Sequence, residues 1–121
     1  MPPTIQRIVI YTKKVPEMVS FYSGHFGYTE RRREGDRIVE LVPPSGGLTL
    51  LLHPAGKGQK EGQSLVKLVF DVEDVETFCD WARDNGLDFG PIHVADGYCF
   101  ANARDPSNNP IQVSSRAFGG M

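Results

Sequence analysis

The chain repeats itself once, and that repeat limits what it can fold into. Phe21 lies 14 residues after Arg7, Trp81 lies 14 after Lys67, and the two halves are offset by 60 positions. Each half reads as strand, helix, then three short strands. A period this long, occurring twice, marks a duplicated supersecondary unit; a solenoid needs at least about three copies to bury a continuous core. The prediction is an α+β fold of two tandem βαβββ modules in one domain, and 121 residues suits a single domain.

The first half opens on Ile5-Gln6-Arg7-Ile8-Val9-Ile10-Tyr11, β-branched and mostly apolar, which predicts a buried strand. Pro16 suits a first helical turn. Val15, Met18, Val19 and Tyr22 recur at helical spacing, and Gly27 supplies the stop. Strands are expected at about 28–33, 37–42 and 48–53, separated by Glu34-Gly35-Asp36 and by Pro43-Pro44-Ser45-Gly46-Gly47. Module 1 is therefore set at about 5–53, and the polar, Gly/Lys-rich stretch 54–63 reads as a linker. Module 2, at about 64–115, repeats the order. It has a strand at 65–72, a helix capped by Asp74 and stopped by Asn85-Gly86, and strands near 92–95, 98–103 and 110–115.

A net charge of −2 provides no global field for nucleic acid or an anionic membrane. The dense basic spot Arg31-Arg32-Arg33 sits between Glu30 and Glu34 and reads as a solvated strand. No stretch approaches bilayer length, Leu48–Leu52 being the longest apolar run, and the start of the sequence shows no basic-then-apolar leader. The expected compartment is the cytoplasm, with Cys79 and Cys99 as free thiols.

Two motifs, set on the repeat, point to a family. The first is a strand followed by Pro16-Glu17-Met18-Val19-Ser20-Phe21-Tyr22 and Gly27. The second is Asp105-Pro106-Ser107-Asn108-Asn109-Pro110-Ile111-Gln112-Val113, a turn entering the last strand. Together they resemble the vicinal-oxygen-chelate superfamily of glyoxalases, bleomycin-resistance proteins and dioxygenases, over nearly the whole length. Asn108 stands where that family usually has glycine, a tolerable exchange because asparagine also accepts a left-handed backbone. The resemblance implies that each module curls its strands into half a barrel and that the two halves form a cleft. It also implies pairing of chains, so a homodimer is expected.

Metal-dependent members of that family place His, Glu, His and Glu on the first, fourth, fifth and last strands. These positions fall on Arg7, near Leu50, on Lys67 and on Gln112. Guanidinium, ammonium and leucine have no lone pair to give, and an amide oxygen is a weak ligand. No metal and no other cofactor is therefore expected. Strand alternation turns Arg7, Val9 and Tyr11 away from the helices, with Lys67, Val69 and Asp71 and then Gln112 and Ser114 doing the same in module 2.

The expected function is binding of a small organic, acidic ligand in a metal-free cleft. Arg7 and Lys67 supply charge, Gln112 an amide, and Tyr11, Leu50 and Phe100 the lining. Glu40 and Tyr11 are the catalytic candidates, with an ion-pair partner as the competing role for Glu40. His25, near the end of the first helix, is expected to favour the negative helix end. The alternatives are a metal-dependent isomerase, lyase or dioxygenase of the same superfamily with a relocated metal site, and a protein-interaction module.

Overall fold

The structure, a computed structural model, describes residues 2–119. Every expected helix and strand has a counterpart, and the differences fall at element ends. Strand β1 spans Arg7–Thr12, helix α1 Val15–Phe26, and strands β2, β3 and β4 span Thr29–Arg32, Val39–Val42 and Thr49–Pro54. The second half runs β5 (Leu68–Asp71), α2 (Val75–Asp84), β6 (His93–Val94), β7 (Cys99–Arg104) and β8 (Pro110–Ser114), then a short 3-10 turn, Arg116–Phe118.

Caps set the helices. Gly27 closes α1 with φ of 72°, a backbone angle that costs glycine nothing. Asp74 caps α2, its carboxylate accepting from the Thr77 N–H at 3.0 Å. Strand starts came later than the sequence suggests. Ile5 and Leu65 lie outside the strands, and Leu65 is fully exposed. The ladders begin only where a partner exists, Thr49 opposite Arg7 and Ile111 opposite Leu68, so β-propensity without a partner makes no strand.

Contacts divide the chain between Glu61 and Gly62 into two compact units. In the first, the sheet order is β1-β4-β3-β2, with β1 and β4 parallel and the other pairs antiparallel. Helix α1 covers one face of this sheet. Met18 and Tyr22 from the helix, with Val39, Leu41, Leu50 and Leu52 from the strands, make a buried core. The second unit has the same order, β5-β8-β7-β6, with β5 and β8 parallel. Val75, Ala82, Ala101, Ile111 and Val113 form its core under α2. The fold is thus α+β, two βαβββ modules, each with one helix on one face of a mixed four-stranded sheet.

The turn before β8 is built on Asp105. This buried carboxylate accepts from the Ser107 and Asn109 N–H groups at 2.9 Å and from the Asn109 amide at 3.0 Å. Asn108 takes the left-handed position expected of it, with φ of 65°.

Candidate functional site

With one face of each sheet under its helix, the other carries whatever chemistry alternation leaves there. In the first unit that open face holds Arg7, Val9 and Tyr11 from β1, opposite Thr49, Leu51 and His53 of β4, and then Glu40 and Arg31 from β3 and β2. Leu50 does not join them. It pairs with Ile8 and Leu41 and is 1% exposed in the helix-side core, and Leu51 stands on the open face instead. The reason is the period of two: a shift of one residue along a strand moves a side chain to the opposite face.

Glu40 is only 7% exposed and is held by two cations, Arg31 Nη2 at 2.9 Å and Arg33 Nε at 3.3 Å. The Arg31 hydrogen bond holds its carboxyl below the usual range. Burial opposes that shift, and the charges of Arg31, Arg33 and Arg7 add to it. A general base works best with a pKa near the operating pH, so this environment suits Glu40 as an ion-pair partner. Tyr11 is half-exposed and lies against His53 with ring centroids 5.0 Å apart. His53 Nδ1 lies 2.9 Å from the Pro54 carbonyl oxygen, which can only accept, so Nδ1 carries the proton.

In the second unit, Val69 and Asp71 of β5 pair with Gln112 and Ser114 of β8, which pair in turn with Asn102 and Phe100 of β7. Lys67 Nζ donates to Asn102 Oδ1 at 3.0 Å, and the Gln112 amide donates to the same oxygen at 3.0 Å. Phe100 carries the His93 ring stacked on it, centroids 5.0 Å apart. Beside this row lies a recess of about 510 Å³ lined by Val69, Asp71, Tyr98, Gln112, Ser114, Arg116 and Ala117. Arg116 lies over the Tyr98 ring, 5.2 Å from its centroid, and donates to the Tyr98 hydroxyl at 3.1 Å.

Arg116 lines this recess and was not among the residues singled out from the sequence. Strand alternation could not have found it, because β8 ends at Ser114 and Arg116 reaches the recess from the 3-10 turn that follows. Tyr98 was passed over for a related reason, because an aromatic at a strand start reads as core until its partner across the sheet is known.

The residues at the four metal-ligand positions do not fit a divalent ion. Arg7 and Lys67 are cations, Leu50 is in the core, and Gln112 has only an amide oxygen to offer, a weak ligand. Among the described residues, no three His, Cys, Asp or Glu side chains come close enough together to hold one.

The family model of the Glyoxalase/Bleomycin resistance protein/Dioxygenase superfamily matches residues 4–113. The chain belongs to this superfamily. No curated protein sequence matches it. Among solved structures, it is similar to TnmS3, an antibiotic binding protein from Streptomyces sp. CB03234. That likeness has a TM-score of 0.76 and 16% identity, covering 93% of this chain and 94% of that one. A lactoylglutathione lyase from Agrobacterium tumefaciens is similar with a TM-score of 0.73 and 18% identity, covering 100% and 99%. A superfamily member from Sphaerobacter thermophilus DSM 20745 gives 0.75 and 16%, covering 93% and 97%. At these identities the likeness speaks to the fold, which within this superfamily serves both binding and catalysis.

His25 stands in the last turn of α1, where it was expected. Burial pushes its pKa down, Nδ1 has no hydrogen-bond partner, and the ring lies 5.0 Å from Phe21. Desolvation, which disfavours the charged form, opposes the attraction of the helix end.

Proposed function

We propose that this superfamily member binds a small organic molecule through an acidic group on an open sheet face, with cations and neutral donors standing in for a metal. The observation that carries this reading is the replacement of ligand types. Arg7, Lys67 and Gln112 occupy metal-ligand positions of the family, and Arg116 adds a further guanidinium to the second unit's open face. Arginine grips carboxylate or phosphate through two parallel N–H donors, and lysine adds a point charge. Tyr11 and Leu51 in the first unit, and Phe100 in the second, give each open face its own apolar component. The similarity to an antibiotic binding protein agrees with a binding role. The pairing of Glu40 with Arg31 and Arg33 counts against its use as a base. The proposed assembly is a homodimer, since β1, β2, β5 and β6 each keep one unpaired edge within their own sheets.

The test is calorimetry of a panel of small carboxylic acids and their neutral amides against wild type, Arg7→Gln, Lys67→Gln and Arg116→Gln. A charge-assisted contact is worth about 1.5–3 kcal/mol, so at least one variant should lose tenfold or more in acid affinity, with amide binding unchanged. If all three variants bind acids as wild type does, the cations are structural and the reading is wrong.

A further inference from the structure

The recess on the second unit's open face carries opposite charges that are not joined to each other. Asp71 projects from β5 as the cross-strand neighbour of Ser114, and Arg116 follows two residues after Ser114 on the chain. Neither Asp71 nor Arg116 takes part in an ion pair among the described residues. Arg116 spends one N–H on the Tyr98 hydroxyl, a neutral acceptor, which leaves its positive charge uncompensated and most of its five donors free.

The neutral groups between the two charges divide in the same sense. The Tyr98 oxygen accepts from Arg116, so its own hydrogen is left to donate. The Ser114 oxygen accepts from the Arg116 backbone N–H at 3.1 Å, which again leaves a hydroxyl hydrogen. Gln112 commits its amide nitrogen to Asn102, and its amide oxygen remains as an acceptor. The recess thus offers donors from Arg116, Tyr98 and Ser114, and acceptors from Asp71 on β5 and Gln112 on β8.

We infer that this recess takes a zwitterion, a small molecule whose carboxylate meets Arg116, Tyr98 and Ser114 while its ammonium meets Asp71 and Gln112. The inference rests on the acid-binding reading above and narrows its ligand class. A ligand with only an acidic group would sit beside the uncompensated Asp71 carboxylate, and like charges at short range oppose binding. One that also brings an ammonium turns that repulsion into a second charge-assisted contact. Val69 and Ala117 supply a modest apolar wall, and a volume of about 510 Å³ leaves room for a ring or a short alkyl chain.

The experiment is a chemical-shift titration of the full chain with matched probes. Phenylalanine is compared with 3-phenylpropionate and 2-phenylethylamine. For a wider charge spacing, 4-(aminomethyl)benzoate is compared with 4-methylbenzoate and benzylamine. At one of the two spacings the zwitterion should bind at least about tenfold more tightly than its acid and its amine. Asp71→Asn should abolish that advantage while the acid binds as well as before or better. Arg116→Gln should weaken acid and zwitterion together and spare the amine. Both side chains are exposed, so these variants should melt within a few degrees of wild type. If acids bind but neither zwitterion gains over its acid, or if Asp71→Asn changes nothing, the zwitterion assignment fails and the acid-binding reading stands. If no acid and no zwitterion binds, both fail.

Discussion

Glu40 shows how a single residue divides between two readings that the sequence leaves open. A carboxylate on a strand serves equally as a base or as an anchor for cations, and the choice depends on side chains that reach it from β2. Arg31 is its cross-strand neighbour and Arg33 reaches the same carboxylate, a relation fixed by register and not by sequence distance. Because the folded pKa lies below the ordinary value of 4.5, the unfolded chain takes up the proton first as pH falls. The ion-paired carboxylate therefore stabilises the fold above about pH 4.5, and that contribution is lost as pH falls through the folded pKa. Glu40→Gln should melt below wild type at pH 7, and the gap should narrow in melts at an acid pH below 4.5. A gap of equal size at both pH values would mean that Glu40 acts by packing alone. Asn108 was more legible, because a left-handed backbone restricts residue type and asparagine is one of the few that tolerate it.

At the scale of the element, apolar patterning reveals which strands exist and which face is buried, but counting along a strand is unforgiving. The Arg7, Val9 and Tyr11 alternation was readable because polar and apolar residues differ there. The run Leu50-Leu51-Leu52 offers no such contrast, so its register had to come from β1 and β3. Leu50→Ala removes a core side chain and should cost about 2–5 kcal/mol by chemical denaturation. Leu51→Ala, on the open face, should cost under about 1.5 kcal/mol. Equal losses would show that the face assignment is wrong. Helix α1 carries a different lesson in His25, whose position near the helix end favours charge while its burial opposes it. Burial lowers its pKa in the structure, where the Phe21 ring, four residues back on the same helix face, lies 5.0 Å from it.

For the molecule as a whole, the 60-residue offset between halves was the most informative feature, since two copies of one pattern predict two copies of one unit. Strand and helix order survive in the sequence because each copy must bury its own apolar face. Pocket chemistry survives less well, because Asp71, Tyr98, Gln112 and Arg116 meet only through sheet pairing and the closing turn. The open sheet edges and the exposure of Ile5, Leu65, Val66 and Val94 suit burial against a second copy. Light scattering at micromolar concentration should give twice the mass of one chain, and a single-chain mass would count against the dimer. The central claim, an acid held by side-chain cations without a metal, is tested most directly in protein freed of divalent ions by EDTA. Calorimetric titration with small carboxylic acids and their methyl esters should give, for at least one pair, an acid bound about tenfold or more tightly than its ester. The affinity should be the same with and without EDTA. Acid binding that vanishes with EDTA and returns with one divalent ion would contradict the account.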